Sequence, residues 1–197
     1  VRPDSLRRCR WPALLLALLA AVLLGGCGAD PAPAAAPVAP ASSVAPPARS
    51  APTWVDLPSI GARSSLVQLG LNADRTIEVP PVDQPLQAGW YKYSPVPGQA
   101  GPAVILGHID GNHQKGVFWR LHELKAGAQV QVGRADGGPL TFTVTRVDQV
   151  AKSSFPTDAV YGDTADPELR LITCGGAYDA ANHNYLDNVI VYAKLAS

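Results

Sequence analysis

Over most of the chain, apolar residues fall in short runs broken by Gly, Pro, Asp and Asn. The stretch Thr141-Phe142-Thr143-Val144-Thr145 alternates strictly, the period-two pattern of a strand with one buried face. Val104-Ile105-Leu106 and Val189-Ile190-Val191 are continuous, as in strands covered on both faces. Read this way, the pattern predicts strands over 65–71, 76–79, 89–93, 103–108, 129–132, 140–150, 169–174 and 188–194. Helical periodicity is weak, and only 117–124 suggests a short turn of helix. Short strands at this density, in a domain of about 140 residues, predict an all-β fold, a closed barrel or sandwich with short helical turns. No internal repeat is visible.

The first quarter of the chain follows a different pattern. A basic stretch, Arg7-Arg8-Cys9-Arg10, precedes an apolar run from Trp11 through Leu24. That run is shorter than the roughly 20 residues of a spanning helix and has the flanks of an export signal. Leu24-Gly25-Gly26-Cys27 also resembles a bacterial lipobox, so a lipidated Cys27 and an uncleaved signal anchor both stay open. Residues 28–53 are almost wholly Ala, Pro, Ser and Val, a composition that cannot bury a core and reads as a flexible, semi-stiff tether. In polyproline geometry, at about 3.1 Å per residue, such a tether reaches on the order of 80 Å. The expected organisation is therefore a signal or membrane anchor at 1–27, a tether at 28–53 and a folded domain at 54–197, placed outside the cytoplasm at the outer face of the membrane.

Charge narrows the function. The formal net charge is zero, but four arginines and one acid lie before Cys27. The remainder carries 12 basic residues (16 less 4) and 15 acidic ones (16 less 1), a mildly acidic balance. Nucleic-acid binding needs a basic face and is not expected. Cys9 and Cys27 lie in or beside the anchor, so Cys174 is the one cysteine of the exported body and has no partner there for a disulfide. It ends the apolar run Leu169-Arg170-Leu171-Ile172-Thr173 and is followed by Gly175-Gly176, a position a substrate carbonyl can approach. An unpaired exported thiol is either an inert buried side chain or a nucleophile, and the strand-end position favours the nucleophile.

A cysteine nucleophile needs a base that later protonates the leaving amine, a task suited to imidazole. His108 ends the apolar run 103–107 and is the candidate, whereas His113, His122 and His183 lie in polar stretches and read as surface residues. His108, Asp110 and His113 also form a sparse set of metal ligands, but no second pair at tight spacing supports a zinc site, and no metal or other cofactor is expected. An L,D-transpeptidase also uses exported Cys and His, yet its Ser-His-Gly-Cys-X-Arg block is missing around Cys174.

Leu171-Ile172-Thr173-Cys174 resembles the hallmark strand of the sortases, and Leu106-Gly107-His108 resembles their histidine strand. Gly89-Trp90-Tyr91, Pro95-Val96-Pro97-Gly98, Gly116-Val117-Phe118-Trp119-Arg120-Leu121 and Thr173-Cys174-Gly175-Gly176 are most similar to class F members. The resemblance covers 54–195. It implies an eight-stranded β-barrel and a cysteine transpeptidase and endopeptidase that cleaves an LPXTG-like sorting signal through a thioester. The partners it implies are surface proteins bearing that signal and an amine acceptor, such as a peptidoglycan precursor or a pilin lysine.

The resemblance has one gap. Sortases carry an Arg on the last strand that stabilises the oxyanion, but here no Arg follows Arg170. Leu186 stands where class F members often have it, and Asn188 where other classes do. The remaining candidates for the missing donor are the amide of Asn188, a backbone N–H near Gly175, and Arg120 reaching in from beyond the histidine strand. The same gap supports an alternative, a catalytically weak or silent sortase-like lipoprotein that binds sorting signals or wall peptides.

Overall fold

The structure, a computed structural model, describes residues 50–196. The anchor expected at 1–27 and the tether up to residue 49 lie outside the described residues. Where the tether was expected to end, the structure is already built. The Ser50 N–H donates to the Asp136 carboxylate at 3.0 Å, and β1 spans Pro52–Leu57. Two prolines bracket this short strand and obscured its pattern, although a proline at the first position of a strand costs no ladder bond.

The strands that follow are β2 (Ala62–Leu69), β3 (Ala88–Tyr91), β4 (Gly101–Gly107), β5 (Asp110–Gly111), β6 (Gln114–Lys115), β7 (Gln129–Arg134), β8 (Gly137–Ala151), β9 (Pro167–Asp179) and β10 (Asn184–Leu195). Eight of them close a barrel in the order β1-β2-β3-β4-β9-β10-β8-β7, and β5 and β6 form a small separate hairpin. The expected all-β barrel is present. Closure leaves no open edge, which is the usual solution for a sheet of this length.

The two kinds of apolar run now separate. In β8, Phe142 and Val144 are fully buried while the alternating Thr141, Thr143 and Thr145 face outward. Ile105, Leu169, Leu171, Val189 and Val191 point into the barrel core, with Phe118, Leu57, Val130 and Val132. Val104, Ile172, Ile190 and Tyr192 point the other way and are covered by Val160 of α1 (Thr157–Tyr161), a single helical turn. The continuous runs are therefore two-faced strands, with the helix supplying the second cover. At five residues α1 is too short to show a 3.6-residue period, and packing, not propensity, holds it.

Two expectations need correcting. The segment 76–79 is not a strand and contributes only an isolated bridge, Leu71↔Ile77. Asp74 Oδ1 accepts from both the N–H and the hydroxyl of Thr76, at 3.0 and 2.6 Å, and this side-chain turn competes with a ladder. Glu78 then reaches back to the Gly70 N–H at 2.5 Å, folding 70–78 into a closed loop. The helix turn expected at 117–124 shrinks to a 3₁₀ turn over Leu121–Glu123. Among the described residues no helix is long and apolar enough to cross a membrane.

Candidate active site

Parallel pairing of β4 with β9 sets the geometry. The register runs from Gly101↔Pro167 to Leu106↔Ile172 without a shift. Carried two residues further, it sets His108 beside Cys174 at the same end of the barrel. Alternation puts both on the outer face, with Leu106 and Ile172 behind them. On the other side of Cys174, its cross-strand partner in β10 is Asn188. His108, Cys174 and Asn188 line one cleft of about 210 Å³, whose other walls include Val79, Pro80, Leu106 and Ile172. All three are half-buried, reachable by a ligand yet partly shielded from water.

The imidazole is held from two directions. His108 Nε2 lies 2.6 Å from the Pro80 carbonyl oxygen. A carbonyl only accepts, so Nε2 carries the proton and Nδ1 is left to exchange one. Behind the ring, the His108 carbonyl accepts from the Phe118 N–H at 3.0 Å, and the Ile109 carbonyl from the Gly116 N–H at 2.8 Å. This approach needs glycine, because a Cβ on Gly116 would lie 2.2 Å from the His108 oxygen. Fully buried Phe118 anchors the same segment, a burial worth about 1.5–3 kcal/mol.

The glycines after Cys174 have a backbone role. Between Asp187↔Gly175 and Tyr185↔Tyr178 the ladder shifts, so that Gly176 and Ala177 together face Leu186. Gly176 has φ +74°, the left-handed residue of a β-bulge. Side-chain space is also closed there, since a Cβ would meet the Asp187 carboxylate at 2.3 Å. The bulge bends the hairpin just beyond the thiol and carries Tyr178 and Tyr185, whose rings make a T-shaped contact with centroids 5.1 Å apart. The Tyr185 phenol donates to the Asp110 carboxylate, and that bond pushes its pKa up to about 12.

Arg120 is not brought to this cleft. Its Nε and Nη2 bond the Glu123 carboxylate, the latter at 2.6 Å, and its Nη1 donates to the Ile60 carbonyl at 3.1 Å. It borders a separate hollow with Ile60, Gly61, Ala62 and Leu86. Position after the histidine strand was a poor guide, because the chain turns at Gly116 and runs away from the thiol. Asn188 does stand at the site, and its side-chain amide makes no hydrogen bond among the described residues. Leu186 is 52% exposed on the same strand. No group of three or more His, Cys, Asp or Glu side chains among the described residues is placed to hold a metal ion.

Sequence reasoning missed Pro80, Asp110, Tyr178 and Tyr185. Part of the signal for the tyrosines was present: extending the pairing of 169–174 with 188–194 as one long hairpin places 178 opposite 184, and the bulge at Gly176 shifts it to Tyr185. The role of Pro80 has no sequence signal, since a backbone carbonyl is common to every residue.

Comparison with known proteins agrees with this geometry. A family model described as the sortase domain matches residues 55–196. A search of curated proteins finds no significant match. Among solved structures, a Clostridium perfringens sortase D5 transpeptidase is similar with a TM-score of 0.54 and 18% identity, over 75% of this chain and 79% of that one. A lid mutant of sortase A from Corynebacterium diphtheriae gives 0.57 and 20%, over 76% and 72%. A sortase from Actinomyces oris gives 0.53 and 23%, over 74% and 79%. At these identities the structural likeness speaks for the fold alone.

Proposed function

This chain belongs to the sortase family of cysteine transpeptidases, and on that premise we propose that it cleaves an LPXTG-like sorting signal and transfers the acyl group to an amine. In this reading Cys174 is the nucleophile and His108 the acid–base partner. The thiolate adds to the scissile carbonyl, the tetrahedral oxyanion collapses, and His108 protonates the departing amine, leaving a thioester on Cys174. An incoming amine then releases the product and restores the thiol. Asn188, directly across from Cys174, offers its side-chain N–H groups to the oxyanion.

The observation that supports this reading best is the shared cleft, in which the thiol, imidazole and amide converge against apolar walls. Val79, Pro80, Leu106 and Ile172 suit the aliphatic part of a sorting signal. We read the chain as a class F member on the motifs at 89–91, 95–98, 116–121 and 173–176. Residues 1–27 are read as an export signal or membrane anchor and those up to about residue 49 as its tether. They would hold the domain at the outer face of the cytoplasmic membrane, among surface proteins and wall or pilin acceptors.

The test is incubation of the purified protein with LPXTG-type peptides, followed by intact mass. A covalent adduct that disappears in Cys174→Ala, with the circular dichroism spectrum unchanged, is the expected result. Cleavage at the wild-type rate in that variant would rule out the cysteine mechanism. One observation favours a second reading, a weak or silent binder of sorting signals: among the described residues no arginine lines the cleft. Peptide binding without any adduct would decide for it.

A further inference from the structure

His108 stands on one side of Cys174, after β4, and a different row of side chains borders the other side. There the ladder runs from Cys174 to Asn188 in β10 and on to Val150 in β8. Val150 packs against the outer cluster of Ile172, Ile190 and Tyr192, so this row continues the face that carries the reacting pair. Lys152 follows two residues later, where β8 passes into a 3₁₀ turn over Lys152–Ser154. Its ammonium donates to the side-chain oxygen of Asn184 at 2.6 Å. Asn184, Leu186 and Asn188 alternate onto one face of β10. The Lys152 charge therefore lies on the cysteine's side of the sheet.

That charge has no counter-ion. Arg63, Arg120, Arg134, Arg146, Arg170 and Lys194 each hold a carboxylate. Lys152 forms no ion pair among the described residues, and its hydrogen bond goes to a neutral amide. Of the described lysines it alone is half-buried, the others being exposed. Withdrawing an ammonium from water without a carboxylate beside it is costly. An anion arriving there gains more than at an exposed lysine, because water screens the pair less.

With strands about 4.8 Å apart and a rise of about 3.3 Å per residue, the Lys152 Cα stands about 12 Å from that of Cys174. In the proposed reaction His108 protonates the departing amine, so the leaving segment lies on the β4 side. The acyl segment then runs the opposite way, over Asn188 toward β8. Two extended residues cover about 7 Å, and the flexible four-carbon stem of lysine covers the rest. We infer that Lys152 is a specificity-determining residue that selects a sorting signal with a carboxylate at the variable position X, one residue before the attacked Thr carbonyl. The inference rests on the transpeptidase reading above. On binding, the ammonium exchanges the Asn184 oxygen for the substrate carboxylate, a charge that the apolar walls of the cleft do not read.

The test measures acylation kcat/KM for three LPXTG-type peptides with Glu, Gln or Lys at X. Their ratios cancel any general loss of activity or of folded protein. The wild-type protein should prefer Glu over its isostere Gln about tenfold at low salt, as expected for a charged hydrogen bond. The preference should shrink as salt screens the pair. Lys152→Ala should bring Glu and Gln level, and Lys152→Glu should turn the preference to Lys. Equal rates for Glu and Gln in the wild type, or a preference that survives in Lys152→Ala, would overturn the inference. So would a loss in Lys152→Ala that is the same for every peptide, which marks a role at the oxyanion or in the fold. If no peptide acylates the protein, the proposed function fails first. Affinities of the same peptides for Cys174→Ala, by fluorescence anisotropy, then judge Lys152 alone. Tighter binding of Glu than of Gln, lost when Lys152→Ala is added, supports the inference; equal affinities or no binding refute it.

Discussion

Asn188 is the direct cross-strand partner of Cys174 in the β9–β10 ladder. The two side chains therefore rise from the same face and line one cleft, and the Asn188 amide makes no hydrogen bond among the described residues. If it is the oxyanion donor, Asn188→Ala should slow acylation about a hundredfold, near 2.7 kcal/mol, as loss of one oxyanion donor does elsewhere. Arg120→Ala should leave acylation close to wild type, because its guanidinium is committed to Glu123 and Ile60. Single-turnover acylation rates check both, and the reverse ranking would remove Asn188 from the mechanism.

Leu186 tests the missing cation directly. It is exposed and two residues from Asn188 on one strand, so an arginine there extends over the groove without disturbing the core. Leu186→Arg should raise the acylation rate about tenfold, since a charge-assisted hydrogen bond is roughly twice as strong as a neutral one. No change in the same assay would mean that the native donors already suffice.

Gly116→Ala probes the backbone behind the imidazole. The new methyl would fall 2.2 Å from the His108 oxygen, and crowding of this kind costs about 1–3 kcal/mol. The melting temperature should fall by about 3–10 °C. Acylation should fall further, by about a hundredfold, because a displacement near 1 Å is enough for that. Loss of stability with full activity would show that His108 is positioned from the Pro80 side alone.

The Tyr185–Asp110 bond should be visible in alkali. Its folded pKa, raised to about 12, exceeds the ordinary tyrosine value of about 10. Between those values the unfolded chain has lost a proton that the native state keeps. The bond's contribution is thus complete below about pH 10 and is lost as pH rises toward 12. Tyr185→Phe should flatten that part of the stability–pH curve and remove the latest step of the tyrosinate absorbance titration. An unchanged titration in the variant would refute the assignment.

The convergence of His108 and Cys174 on one cleft was legible in the sequence because both end apolar strands, and strand ends are where a barrel exposes side chains. Alternation at 141–145 and continuity at 104–106 and 189–191 reported one-faced and two-faced burial faithfully. The segment 76–79 misled because its Thr-Ile-Glu-Val pattern alternates, while the competing signal, an Asp74 side chain bonding its own chain two residues on, leaves no periodicity. Arg120 misled because sequence proximity to His108 ignores the turn at Gly116. Asp110 and Tyr185 lie 75 residues apart, and only the closed topology brings them into contact.

The parallel pairing of β4 and β9 also bears on when the chain becomes reactive. Parallel neighbours so distant in sequence cannot meet through a local turn, and their contact must overcome the closure entropy of the whole intervening segment. Barrels dominated by such pairings fold in about milliseconds to seconds. His108 reaches Cys174 only through that ladder, so under the proposed mechanism a partly folded chain holds the thiol without its base. On that proposal, assembly of the barrel is itself the step that arms Cys174.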